Sequence, residues 1–117
     1  MAVPPARQGE VWDVDLEPAR GHEQAGAVRP CVVISIDALG DGPTELAIVV
    51  PLTTKSKARI EVEIEPPEGG LDRVSHAMPY QVRSLSRERL VKRRGKVRQD
   101  TLDEIVRRVG VLVRPRG

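Results

Sequence analysis

At 117 residues, with no phenylalanine, one tryptophan (Trp12) and one tyrosine (Tyr80), the chain must build its core from Val, Ile and Leu, and that length suffices for one compact domain without disulfides or structural metal. A single cysteine, Cys31, rules out an intrachain disulfide, no Cys/His spacing suits zinc, and no apolar run approaches the ~20 residues of a membrane helix. Net charge is only +2 although 31% of residues are charged, and the scarcity of rings argues against nucleic-acid modules that stack bases on aromatic side chains.

The N-terminal MAVPPARQGE lacks an apolar h-region, which predicts a protein that is not secreted but cytoplasmic. GEVWDVDL then alternates, with Trp12, Val14 and Leu16 on one face and Asp13 and Asp15 on the other, as in a half-buried strand. Pro18 and Gly21 break it into the loop GHEQAGAVRP. CVVISI (31–36) is continuously apolar and β-branched, so it reads as a central strand that opens on a buried, inert Cys31. ALGDGPT (38–44) is a turn. LAIVVPL (46–52) is a second central strand, whose Pro51 predicts an edge or a bulge.

TTKSKAR (53–59) is a polar connection. IEVEIE alternates and should expose an acidic outer face. PPEGG (66–70) is a strong turn signal. AMPYQVRSL (77–85) reads as a strand interrupted at Pro79, Ser86 is placed to cap a short helical turn, and RRGKV (93–97) forms a last short strand. In the tail, Leu102, Ile105, Val106, Val109 and Leu112 share one helical stripe. Asp100 or Thr101 is the expected cap, with Thr101 and Glu104 at capping-box spacing. These elements predict a single domain (residues 1–117, core about 9–113) that is mainly β. It should be a small, strongly bent sheet or SH3-like β-barrel with a C-terminal packing helix.

Glycines bound a loop carrying His22, Glu23 and Gln24, and Arg29 follows before the apolar strand. Polar loops held by a rigid scaffold are where binding and catalysis concentrate. Together with VVPLTTKSK and QVRSLSRERL, the segment GEVWDVDLEPARGHEQAGAVRPCVVIS resembles the MazF/PemK (Kid) family of toxin endoribonucleases from about Gly9 to Val113. The GxEQxG loop, the RP pair and the PLT strand end stand in the family's order and spacing.

The resemblance implies a small barrel with helices and a homodimer. It implies the toxin of a type II toxin–antitoxin system, an mRNA interferase that cuts single-stranded RNA at short sequences. No metal or other cofactor is implied. The implied partner is a MazE-like antitoxin whose flexible inhibitory segment covers the RNA-binding surface. Such chemistry uses the RNA 2′-hydroxyl as nucleophile, so the protein must move protons and stabilise charge on the phosphorane.

Arg29 matches a catalytic arginine of the family, and its guanidinium fork suits phosphate oxygens; pairing with Asp13 or Asp15 is the structural alternative. Thr53 matches the family threonine, with a hydroxyl suited to a phosphate oxygen or to capping the next turn. His22 is a candidate acid or base, Glu23 could accept a proton or orient Arg29, and Gln24 could read a base edge. Thr54, Lys55, Lys57, Gln81 and Arg83 are the expected RNA contacts.

One branch of the family uses an Arg and an Asp where this chain has Met78 and Tyr80, so that acid–base pair is missing. RERLVKRRGKVR (87–98), with seven basic residues against one acid, is either an electrostatic footprint for RNA or a solvated face. Two competing readings share the fold: a CcdB-like gyrase-binding toxin, and a catalytically degenerate relative that only binds antitoxin or nucleic acid.

Overall fold

In the computed structural model, which describes residues 3–17 and 28–116, the GEVWDVDL alternation becomes strand β1 (Glu10–Asp15). Val14 and Leu16 are fully buried on one face, and Val11 is fully buried on the other. Strand β2 (Val28–Val33) begins earlier than the apolar run suggests and ends earlier too. It takes in Arg29 and Pro30, because β1 pairs along that whole segment, Asp15 facing Val28 and Val11 facing Val32. Beyond it the chain leaves the ladder, and Asp37–Gly40 forms a one-turn helix, α1, in place of a plain turn.

Strand β3 (Leu46–Thr53) is the spine of the sheet. On one side it pairs with β2, from Val33↔Val49 to Cys31↔Pro51. On the other it changes partner midway. Leu46–Val49 pair with β6 (Arg83–Ser86), and Leu52 and Thr53 pair with β5 (Ser75–Ala77). Pro51 sits at the changeover. Its carbonyl accepts from the Met78 amide at 3.0 Å, and the N–H it lacks would fall in the gap between the two partners. The proline therefore interrupts no ladder, although β3 is central rather than an edge.

Strand β4 (Val62–Ile64) extends the sheet beyond β5, and β7 (Leu90–Lys96) pairs with β1 at the far side. The order is β4-β5-β3-β2-β1-β7, with β6 alongside β3. Among the described residues no ladder joins β6 to β7, so the sheet bends strongly without closing into a full barrel. The interruption expected at Pro79 is a 3-10 turn at Pro79–Gln81 that separates β5 from β6. Ser86 caps the next turn, its Oγ accepting from the Glu88 amide at 3.2 Å.

Helix α2 (Gln99–Leu112) buries Leu102 and Ile105 against Val11, Val32, Val50, Leu52, Val62 and Ile64. Val106 and Leu112, expected on its buried stripe, are 42% and 47% exposed. The capping prediction is also corrected. Arg98 is the N-cap and makes no side-chain capping bond, and Glu104 turns to Arg107 and Arg108 instead of closing a box with Thr101. Arg108 reaches the carbonyls of Arg59, Ile60 and Glu61, which fastens the helix to the connection before β4. A second apolar cluster, Val14, Leu16, Cys31, Val33, Val49, Leu85 and Leu90, fills the opposite face of the sheet.

Candidate functional site

The β2–β3 ladder runs to Cys31↔Pro51, and Arg29 and Thr53 each stand two residues beyond that pair on their own strands. Side chains alternate along a strand, so both project from one face of the sheet. That face is the one bearing Cys31, away from α2, because the neighbouring Val32, Val50 and Leu52 all point into the helix-side core. Asp13 and Asp15 lie opposite Pro30 and Val28 and so project from the other face. Asp13 is taken by Arg94, at 3.3 Å. The alternative role for Arg29, pairing with either aspartate, is therefore not supported by the register.

On its other side Thr53 faces His76 of β5, and His76 faces Glu63 of β4. A row of direct cross-strand partners thus runs over three strands, Thr53, His76 and Glu63, with Arg29 on the same face of β2. It leaves the core as it goes, from buried Thr53 through half-buried His76 to exposed Glu63. The Thr53 hydroxyl accepts from the Lys55 amide at 3.2 Å, the turn-capping bond expected of a strand-end threonine. That bond uses a lone pair, so the hydroxyl hydrogen is still available to donate to an anion.

Positive charge collects behind this row. Burial pushes the Cys31 thiol up to about 12; Arg83 and Arg29 pull in the opposite direction and Asp13 adds to the rise. Both guanidinium groups therefore act on the same buried sulfur. Arg83 also donates to the Leu16 carbonyl at 3.5 Å, and Arg89 donates to the carbonyls of Asp15 and Glu17. These two arginines fasten the end of β1. His22, Glu23 and Gln24 belong to the segment that follows and lie outside the described residues.

The connection after Thr53 is anchored by a residue expected to be solvent-facing. Glu61 is 7% exposed. Its carboxylate accepts from the Lys57 amide at 3.1 Å and from the Tyr80 hydroxyl at 2.5 Å. Thr54, Lys55 and Lys57 are exposed on the loop so held, and Gln81 is half-buried beside Tyr80. Met78 is buried in the interior.

Much of the basic run is already partnered within the chain. Arg87 is buried on backbone carbonyls, and Arg93, Arg94 and Arg98 pair with Glu10, Asp13 and Glu68. That leaves Lys92 and Lys96 as its exposed lysines. Among the described residues, no group of three or more His, Cys, Asp or Glu could hold a metal ion, and no helix is long and apolar enough to cross a membrane.

Sequence reasoning missed His76 because VSHAMPY carries no motif, and its neighbour Thr53 is 23 positions away in the chain. The signal available was alternation. With Ala77 and Ser75 buried, the residue between them must face outward.

This geometry matches a known group of proteins. Residues 7–113 match the family model of the PemK-like, MazF-like toxins of type II toxin–antitoxin systems. The chain belongs to that family, whose members are toxin endoribonucleases. It is 39% identical over 98 residues to the endoribonuclease MazF9 of Mycobacterium tuberculosis, covering 78% of this chain and 81% of that one. Among solved structures, MazF of Deinococcus radiodurans superposes with a TM-score of 0.81 at 29% identity, over 97% of this chain and 98% of that chain. A mycobacterial endoribonuclease solved with its cognate antitoxin shares the fold, with a TM-score of 0.72 at 21% identity over the full length of both chains. The family membership stands against the gyrase-binding reading.

Proposed function

We propose that this protein, acting as a single functional domain and a homodimer in the cytoplasm, cleaves single-stranded RNA, mRNA in particular, at short preferred sequences. The RNA 2′-hydroxyl is the nucleophile, and no metal is required. Arg29 and Thr53 grip the scissile phosphate, the guanidinium through its paired donors and the hydroxyl through one hydrogen bond. Both are strongest when charge builds on the phosphorane, which is the condition for accelerating the reaction rather than merely binding RNA.

His22, Glu23 and Gln24 serve the same phosphate from the loop, as acid–base candidates and as a base-edge contact. Thr54, Lys55, Lys57 and Gln81 contact the flanking RNA, and Arg83 adds to the field behind the site. A MazE-like antitoxin covers this surface through a flexible segment; the relatives solved together with an antitoxin support that reading.

The observation that supports the proposal is that Arg29 and Thr53, each two residues beyond the Cys31↔Pro51 pair, share the face away from α2. The test is incubation of the purified protein with a long single-stranded RNA in EDTA, followed by mapping of the ends. Cuts at a few recurring sequences, leaving 5′-hydroxyl termini, are expected. RNA left intact in EDTA would overturn the proposal.

A further inference from the structure

We infer that His76 is a catalytic residue, the group that protonates the departing 5′-oxygen once the scissile phosphate is held between Arg29 and Thr53. This rests on the ribonuclease reading above and adds to it a residue that neither the loop nor the strand-end motifs point to.

The argument is one of placement. His76 is the direct cross-strand partner of Thr53. Facing side chains in such a pair lie within about 4.5–5.5 Å at Cβ, so a phosphate that accepts from the Thr53 hydroxyl sits within reach of the imidazole. The ring is half-buried, on the outward face of a strand whose flanking residues Ser75 and Ala77 are buried. It is therefore fixed by the ladder and still open to solvent and substrate.

Among the described residues, the groups facing it are few. From β4 comes the Glu63 carboxylate, from β3 the neutral Thr53, and beyond Thr53 the Arg29 guanidinium. Arg29, one strand further away on the substrate side, is neutralised by the phosphate it binds. Neither Tyr80, whose hydroxyl is committed to Glu61, nor buried Cys31 competes for the role. Imidazole is the usual side chain for proton transfer near neutral pH.

The step balances as follows. The 2′-oxygen forms its bond to phosphorus and its proton passes to a base, the role the loop candidates His22 and Glu23 keep. The bond from phosphorus to the 5′-oxygen breaks, and that oxygen takes a proton from the His76 imidazolium. The products are a 2′,3′-cyclic phosphate and a 5′-hydroxyl, and solvent returns a proton to the imidazole.

The test compares parent and His76→Gln on two RNAs of one sequence, chosen as the bond the parent cuts fastest in a long RNA. One RNA is normal. The other carries sulfur in place of the bridging 5′-oxygen, a leaving group that needs no proton. His76→Gln should cut the normal RNA about 10²–10⁴-fold more slowly. It should cut the sulfur-bridged RNA at the parent rate. That restored rate would show in the same preparation that the variant is folded and binds RNA.

Parent-like cleavage of the normal RNA, or an equal loss on both RNAs, would overturn the assignment. Failure of the parent itself to cut either RNA would instead overturn the ribonuclease reading.

Discussion

The Tyr80 hydroxyl donates to Glu61 at 2.5 Å, and through that bond the turn before β6 holds the loop that leaves Thr53. Glu61 also gathers the Lys57 amide on both of its oxygens, so one carboxylate organises the return of the chain from β3 to β4. The loop carrying Lys55 and Lys57 owes its shape to Glu61, four residues after Lys57, and to Tyr80, 19 residues further on.

Ionisation of that pair is directly readable, because Tyr80 is the chain's one tyrosine. Burial, and then the hydrogen bond and charge of Glu61, push the phenol up to about 12. A phenol raised above its unfolded value adds stability below about pH 10, which is lost as pH rises through its folded value. For Glu61 burial pushes upward, but the bonds from Tyr80 and from the Lys57 amide outweigh it and hold the carboxyl below its ordinary value. Its contribution is present above the ordinary carboxylate range and lost as pH falls through the lowered value. Titration of phenolate absorbance should therefore show a midpoint near 12, moving down in Glu61→Gln. A midpoint near that of free tyrosine, about 10, would refute the pairing.

Burial of Cys31 makes a second prediction. Its thiol is fully buried and pushed up to about 12 by burial, against the opposing pull of Arg83 and Arg29. Thiolate is the reactive form. Alkylation of the native protein at pH 8 should therefore be slower than that of the unfolded chain by at least about 10²-fold, and should track global opening in denaturant. Rapid modification of the native protein would show that the interior around β2 is not closed.

Arg87 is 6% exposed and donates to the carbonyls of Pro4 and Gly42, at 3.2 and 3.0 Å. Its Nε finds no acceptor among the described residues. Removing the side chain leaves both carbonyls short of a donor and releases the tie at Pro4. Arg87→Ala should lose about 2–4 kcal/mol, a drop in Tm on the order of 10 °C. A Tm within about 2 °C of the parent would mean that water replaces the guanidinium without cost.

Gly70 tests the close approach between the turn after β4 and β7. Its φ is +68°, and a Cβ there would lie 2.0 Å from the Arg94 carbonyl oxygen. Neither the conformation nor the space admits a side chain. Gly70→Ala should destabilise by about 3 kcal/mol or more, measured by denaturant unfolding. A loss under about 1 kcal/mol would show that the turn can shift away from β7.

Local patterns carried most of the fold into the sequence. The alternation in β1, the break at Pro79, the Ser86 cap and the PPEGG turn each depend on neighbours a few residues away, and each is found in place. What escaped was non-local. β2 starts at Val28 because β1 pairs there, although Arg29 and Pro30 look like loop. Glu61 keeps the parity of an outward residue yet is covered by Tyr80.

The helix begins at Gln99 rather than after a Thr101 cap, with the Arg98 amide on Glu68 of the preceding turn. The run at 87–98 reads as a basic footprint until Glu10, Asp13 and Glu68 are found beside its arginines. At the site, the motifs named Arg29 and Thr53, but only the ladder added His76 between Thr53 and Glu63.

The most direct test of the central claim is the single-turnover cleavage rate of Arg29→Ala on RNA that the parent cuts, measured alongside its melting temperature. If the guanidinium bears on the phosphorane beside the Thr53 hydroxyl, the rate falls about 10²–10³-fold while the fold is retained. A folded Arg29→Ala protein that cuts at the parent rate would contradict the account.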